Sequence, residues 1–269
     1  EVGWTAARGD IAIVFQGPTG SLNPVYTVGN QIREALKIHQ GLTGEAAREE
    51  GIRLLESVGI PDAPGRMRAY PNEFSGGMAQ RAVIATALAC DPDLLVCDEP
   101  TTALDVTIQA QILDLLADLQ REEDLATLFI THDMGVISEV ADRVNVMYAG
   151  EIVERAPADT LFTSPAHPYT RGLLASIPSV RQDSEQLLTI DGEVPTPNEP
   201  PTSCRFAPRC PKAFDDCHRG PVDHFDVGED HSAACHLFDG RRNPPVSPET
   251  GLPGPADTDS AARPDGGEE

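Results

Sequence analysis

Polar side chains of the kinds used in hydrolysis follow three short apolar runs of this 269-residue chain. They are Gln16 after the run 11–15, Asp98 and Glu99 after the run 94–97, and His132 close after the run 125–130. At a strand end, Asp98 can hold Mg²⁺ through a water molecule, and Glu99 beside it can orient and polarise an attacking water. Taken alone, an Asp-Glu-Pro sequence fits a plain polar strand end equally well.

The elements that must position these side chains alternate between strand and helix across about residues 88–145, which predicts an α/β fold with a parallel sheet. Ligands of such sheets bind outside the carboxyl ends of the strands, so the polar residues are expected to meet at one edge. Helices are predicted at 27–58, 76–88 and 106–119, and a hairpin is predicted from strands at 144–148 and 151–155.

The helix predicted to run through Leu88 opens with Ser75-Gly76-Gly77. A serine followed by two glycines leaves bare backbone amides at the helix start. Such amides form an anion site, because they point at the ligand and the helix dipole favours negative charge.

The charge balance argues against binding to nucleic acid and against a polybasic attachment to a membrane surface. The chain carries 20 basic and 43 acidic side chains, for a net charge of −23. A sequence-independent nucleic-acid binder needs an excess of Lys and Arg, and so does a protein held on a membrane by a polybasic patch. We therefore expect no nucleic-acid partner. No apolar run approaches the roughly 18 to 20 residues of a membrane span.

Taken together, the motifs resemble the ATP-binding subunit of ABC transporters. The matching stretches are a Q-loop (Phe15-Gln16), a signature motif (Phe74 to Gln80), a Walker B strand (Leu94 to Glu99), a D-loop (Ala103 to Asp105) and a switch histidine (His132). Each stretch is weak alone, but their order and spacing are specific. The resemblance implies an α/β, RecA-like ABC ATPase core with an α-helical subdomain at about 26–88.

Further stretches are similar to the oligopeptide/dipeptide importer branch, which nickel importers share. They are Asp98 to Thr107, Leu22-Asn23-Pro24, His167 to Leu174, and Cys204 to Pro211. The resemblance implies a partial ATPase domain at 1–160 and a small Cys-rich C-terminal extension at 161–245. Residues 246–269 are predicted to be a disordered acidic tail.

The resemblance also implies roles for single residues, with ATP and Mg²⁺ as cofactors. Gln16 would contact Mg²⁺ or the lytic water, Glu99 would polarise that water, and His132 would touch the γ-phosphate. Ser75 and the amides of Gly76 and Gly77 would bind ATP held by a second ATPase subunit in a head-to-tail dimer. Asp98 and Asp105 complete the expected nucleotide site.

The implied assembly is an importer at the cytoplasmic face of the cell membrane, with this chain as a peripheral subunit. Two membrane permease subunits and an extracytoplasmic substrate-binding protein would complete it. Two alternatives stay open: a soluble ABC ATPase of translation or repair, and a non-catalytic remnant.

The chief departure from the family pattern is the Walker A motif, since no G-x-x-x-x-G-K-[ST] occurs in the 269 residues. That P-loop supplies the amides and lysine that hold the β- and γ-phosphates. We expect the chain to be an N-terminally truncated piece of a longer ATPase, which by itself binds ATP poorly and hydrolyses it hardly at all.

Four cysteines near the end have the spacing C-x5-C-x6-C-x17-C: Cys204, Cys210, Cys217 and Cys235. Their thiolates could hold zinc or a [4Fe–4S] cluster. The resemblance to the importer extension favours the iron–sulfur cluster. Four free buried thiols are the remaining alternative.

Overall fold

The computed structural model describes residues 10–102, 104–123, 125–177, 190–196 and 202–240. Two compact units divide the chain between Val136 and Ile137. The expected tail at 246–269 lies outside the described residues. The domain boundaries expected at 160/161 and 245/246 stay predictions.

The N-terminal unit contains a three-stranded parallel sheet in the order β1-β2-β3. Its strands are β1 (Ile11–Val14), β2 (Leu94–Asp98) and β3 (Ala126–Ile130). The predicted parallel sheet is therefore confirmed. Along β1 and β3 alternate residues differ in exposure, and Ile11, Ile13, Leu128 and Ile130 are nearly half exposed on one face.

Nine α-helices lie in the described parts of the two units. They are α1 (Pro18–Ser21), α2 (Val28–His39), α3 (Gly44–Ser57), α4 (Ala63–Arg66), α5 (Gly76–Leu88), α6 (Val106–Glu123), α7 (Met134–Val140), α8 (Ala158–Thr163) and α9 (Pro168–Ala175). Among the described residues, none of the helices is both long and apolar enough to cross a membrane.

The helical pattern predicted over about 27–58 forms two helices, α2 and α3, with a break between them that the pattern did not indicate. Gly41 adopts a φ of +70° after α2, and Gly44 adopts +62° where α3 begins. A left-handed residue after a helix ends it, and glycine takes that conformation without a Cβ clash. The apolar faces of α2 and α3 then pack together with α5 and the sheet. The largest fully buried side chains of this core are Ile32, Leu36, Leu55, Ile84, Leu95, Ile112 and Leu116.

The C-terminal unit contains an antiparallel sheet in the order β4-β5-β7-β6. Its strands are β4 (Arg143–Tyr148), β5 (Glu151–Pro157), β6 (Phe225–Gly228) and β7 (His231–Ala233). The predicted hairpin is confirmed, and its two-residue turn has positive φ at both Ala149 and Gly150. That combination matches the twist of a hairpin.

A buried carboxylate joins three parts of this unit. Glu154 on β5 has no exposed surface, and its oxygens accept hydrogen bonds from the backbone amides of Ala166 (2.7 Å) and His167 (2.9 Å). Its Oε1 also lies 2.8 Å from Nε2 of His231 on β7. Buried polar groups need such partners, so Glu154 ties β5, β7 and the start of α9 together.

Candidate functional site

Three side chains meet at the carboxyl ends of the parallel strands. Gln16 lies two residues beyond β1, Glu99 directly follows β2, and His132 lies two residues beyond β3. The Nε2 of Gln16 donates a 2.8 Å hydrogen bond to Oε2 of Glu99, and Nδ1 of His132 lies 3.0 Å from Oε1. The structure thus brings together the three residues expected to be catalytic.

The backbone of Glu99 is held in an unusual conformation. Its φ is +46°, a left-handed value that costs energy for a residue with a Cβ. Its amide donates a 2.8 Å hydrogen bond to the carbonyl of Ile130 at the end of β3. This hydrogen bond to the end of β3 fixes the backbone of Glu99 at the edge of the sheet where the strands end.

The surroundings of Glu99 favour its ionised form. The hydrogen bond with His132, and after it the one from Thr102, lowers the pKa of the Glu99 carboxyl below its ordinary value. A carboxylate that accepts hydrogen bonds is stabilised in its charged state. An ionised carboxylate oxygen can only accept a hydrogen bond, so the hydrogen in this contact is on Nδ1 of His132. The other ring nitrogen, Nε2, takes no part in the contact.

The residues expected at the magnesium ion have suitable donor chemistry. Asp98 is the last residue of β2 and is half-buried. Gln16 uses its amide NH₂ on Glu99, which leaves its carbonyl oxygen able to accept or to ligate. Magnesium prefers oxygen ligands and keeps several waters, so these oxygens fit it.

The glycine-rich segment lies where it was predicted, at the start of α5. Ser75 caps this helix, since its hydroxyl accepts a 3.4 Å hydrogen bond from the amide of Met78. A Cβ on Gly77 would lie 2.6 Å from Cγ2 of Ile108 on α6, whereas one on Gly76 would find ordinary contacts. Packing alone therefore requires glycine at position 77. Within the described residues, no hydrogen bond links this segment to Glu99.

Asp105 lies at the start of α6, where its Oδ1 accepts a 3.0 Å hydrogen bond from the amide of Ile108. Its immediate task in this structure is to cap that helix. Ala103, in the same loop, lies outside the described residues. A second contact escaped the sequence analysis: Nε2 of Gln109 on α6 donates to Oδ2 of Asp133 at 3.3 Å. It links α6 to the residue next to His132.

The four clustered cysteines are reduced and lie in the C-terminal unit. The amide of Cys204 donates a 3.0 Å hydrogen bond to the carbonyl of Cys217. Burial raises the pKa of Cys210 to about 11 and that of Cys235 to about 12, and the other cluster thiols raise both further. In the described residues, no three His, Cys, Asp or Glu side chains are arranged to hold a metal ion. The expected ligand role of these cysteines is therefore not supported by a formed ion site.

Family models match two regions of the chain. The model described as ABC transporter matches residues 2–102 and so includes Gln16, the glycine-rich segment, Asp98 and Glu99. The model described as oligopeptide/dipeptide transporter, C-terminal region, matches residues 153–217, which include three of the four clustered cysteines.

Curated relatives are similar over most of the chain. An ATP-binding protein named for peptide import in Brucella ovis is 52% identical over 232 residues, which are 84% of this chain and 69% of the relative. The oligopeptide transport ATP-binding protein AppD of Bacillus subtilis is 49% identical over 230 residues, covering 86% of this chain and 70% of AppD.

Solved structures of ATP-binding cassettes have the same fold. CbiO1 of Clostridium perfringens, part of the ABC transporter complex cbiONQ, is 27% identical with a TM-score of 0.52 over 58% of this chain and 60% of that one. The cassette MJ0796, a dimer bound to ADP and phosphate after hydrolysis, is 29% identical with a TM-score of 0.50 over 56% of this chain and 64% of that one. The motifs, the parallel sheet and these similarities agree, and the chain belongs to the ATP-binding proteins of ABC transporters, in the oligopeptide/dipeptide transporter branch.

Proposed function

We propose that this chain is the ATP-binding and ATP-hydrolysing subunit of an ABC transporter that imports peptides across the cytoplasmic membrane. One observation carries the proposal: Gln16 and His132 both contact the Glu99 carboxylate at the ends of three parallel strands. The names of the curated relatives support peptide as the cargo.

In the proposed mechanism, ATP with its magnesium ion supplies the bond that is cleaved. The ionised Glu99 accepts a hydrogen bond from the attacking water and orients it. His132 presents its second ring nitrogen to the γ-phosphate, since Nδ1 is engaged by Glu99. Asp98 and Gln16 would supply oxygen atoms to hold the magnesium ion, which would neutralise charge on the phosphates. This division of work needs no covalent intermediate on the protein.

The proposed assembly contains two ATPase subunits arranged head to tail. Ser75 and the backbone amides of Gly76 and Gly77, at the start of α5, would bind the γ-phosphate of ATP held by the partner, and Asp105 would contribute from the start of α6. A helix start suits that phosphate because its amides and dipole both favour an anion. Two permease subunits and an extracytoplasmic binding protein complete the importer, and this subunit lies peripherally at the cytoplasmic face.

We further propose that a P-loop outside these 269 residues completes the nucleotide site. The absence of G-x-x-x-x-G-K-[ST] from the sequence supports this. The half-exposed apolar face of β1 and β3 also supports it, because parallel sheets are normally covered on both faces. The chain alone is then expected to show no ATP hydrolysis above background, and robust hydrolysis by it would overturn this part.

We also propose that the four clustered cysteines hold a [4Fe–4S] cluster. Four cysteine thiolates are the usual ligands of such a cluster, and the family model of the oligopeptide/dipeptide transporter C-terminal region includes Cys204, Cys210 and Cys217. Anaerobically prepared protein should show the visible absorbance of an iron–sulfur cluster. The absorbance should be lost in Cys210→Ser and retained in Cys90→Ser, which changes a cysteine outside the group. Stoichiometric zinc with no such absorbance would contradict the cluster.

The ATPase proposal is tested by Glu99→Gln in the assembled transporter. Without the carboxylate, the water loses its acceptor, so ATP hydrolysis should fall by about 100-fold or more, and peptide uptake should fall with it. Binding of a fluorescent ATP analogue should persist, because Glu99 is not expected to hold the phosphates. Glu49→Gln is the matched control, since Glu49 lies exposed on α3.

Equal ATPase rates in the Glu99→Gln variant and the wild type would overturn the catalytic assignment. An active ATPase that co-purifies with no membrane subunit would favour the soluble alternative instead. A complex that transports peptide without hydrolysis at this subunit would assign it a non-catalytic role.

A further inference from the structure

A third side chain holds the Glu99 carboxylate. The hydroxyl of Thr102 donates a 2.9 Å hydrogen bond to Oε2 of Glu99, the oxygen that also accepts from Gln16. In the described part of the chain, Oε2 therefore has two donors and Oε1 faces His132. Both oxygens of the carboxylate therefore have side-chain partners, which fix its orientation.

The backbone places the Thr102 hydroxyl in this position. The Thr102 amide donates a 3.2 Å hydrogen bond to the carbonyl of Glu99, which closes a turn over the intervening Pro100 and Thr101. Glu99 has positive φ within this turn, and Thr102 is half-buried. One residue thus fastens both the main chain and the side chain of Glu99.

The Thr102 contact differs in kind from the other two. Gln16 and His132 lie on exposed segments after other strands, 83 and 33 residues away in sequence. Thr102 is three residues from Glu99 in the same turn. If Gln16 or His132 moves toward a nucleotide, the carboxylate loses a distant partner, but the local one stays with it.

We propose that Thr102 is a positioning residue of the ATPase site, whose hydroxyl holds Oε2 of Glu99 so that Oε1 stays directed at His132. The inference rests on the proposed function, in which Glu99 orients the attacking water. The hydroxyl itself touches neither water nor phosphate in this role. Its effect reaches the reaction only through the carboxylate.

The first arm of the test uses the nucleotide-free chain and needs no activity. In Thr102→Val the shape is kept and the donor is lost, so the carboxylate should turn. The side-chain amide resonances of Gln16 and the ring resonances of His132 should then shift in NMR spectra. Thr102→Ser should restore both, because it keeps the hydroxyl. Thr101→Val is the matched control, being the same change one residue earlier.

The second arm measures ATP hydrolysis in the assembled transporter. A hydrogen bond to a charged group is lost in Thr102→Val, so kcat should fall by about tenfold or more, with the KM for ATP changed by less than about twofold. Thr102→Ser should recover most of kcat. A fall in kcat with a nearly unchanged KM for ATP distinguishes a loss of Glu99 positioning from a loss of nucleotide binding.

The possible results of these experiments separate the positioning role of Thr102 from a structural role and from the proposed function itself. If Thr102→Val leaves the Gln16 and His132 resonances and kcat as in the wild type while the protein stays folded, the positioning role is wrong. If Thr102→Val unfolds the chain and Thr102→Ser also fails to recover kcat, the role is structural and the inference is again wrong. A wild-type transporter without ATPase activity overturns the proposed function, while the NMR arm still tests the contact.

Discussion

His167 shows at the scale of one residue how burial creates a pH dependence. It is 1% exposed, and its Nδ1 accepts a 3.0 Å hydrogen bond from the amide of Tyr169, which caps α9. Burial lowers the pKa of this imidazole from 6.5 to about 4, although the charges of Glu154 and His224 act on it in opposite directions. The native state thus keeps His167 neutral where the unfolded chain would protonate it.

The sign of the effect follows from proton binding. Between about pH 6.5 and pH 4 the unfolded chain binds a proton that the native state refuses, so stability falls as the pH falls through this window. The free energy of unfolding should drop by about 3 kcal/mol from this residue alone. His167→Asn keeps a capping acceptor but does not titrate, so its unfolding free energy should vary less between pH 7 and pH 4.5.

Denaturant titrations at both pH values measure the difference. Parallel pH dependences for the wild type and the His167→Asn variant would show that this imidazole does not contribute.

At the scale of elements, the contact between α5 and α6 depends on a glycine. A Cβ on Gly77 would lie 2.6 Å from Cγ2 of Ile108, and that methyl cannot swing away as the end of a long side chain could. Gly77→Ala should therefore destabilise the chain by about 1 to 3 kcal/mol, as overpacking does. Gly76→Ala, whose nearest contact would be 3.7 Å from Leu104, should change stability by less than about 0.5 kcal/mol.

Denaturant unfolding of both variants measures this contrast. Adding Ile108→Ala to Gly77→Ala should recover part of the loss relative to Ile108→Ala alone, since the clashing methyl is gone. Equal stability of the two glycine variants would mean that α6 shifts freely and that the packing reason for Gly77 is wrong. The glycine would then be explained by phosphate binding alone.

At the scale of the whole molecule, the chain consists of two compact units with different contents. The unit up to Val136 contains the strand ends where Gln16, Glu99 and His132 meet. The unit from Ile137 contains the antiparallel sheet, the buried Glu154 and the cysteine group. One family model matches within each of these two units: the ABC transporter model at residues 2–102 and the oligopeptide/dipeptide transporter model at residues 153–217.

Much of the candidate site was predictable because its residues follow strands. Apolar runs of four to six residues marked β2 and β3, and the polar residues after them had to meet at one sheet edge. The break between α2 and α3 was missed, because the apolar periodicity continues across Gly41 and Gly44. The helical backbone conformation ends there, since both glycines have positive φ. The Thr102 contact was missed because its spacing from Glu99 indicates a turn and says nothing of side-chain direction.

The sequence by itself determined the family, the order of the motifs and the parallel sheet, since these depend on residue type and spacing along the chain. Only the tertiary structure decided which oxygen of Glu99 faces His132, why Gly77 has no room for a side chain, and that Glu154 joins β5 to β7. These contacts depend on distances between segments far apart in sequence. Such distances are set by how helices and strands pack, which no local pattern of residues records.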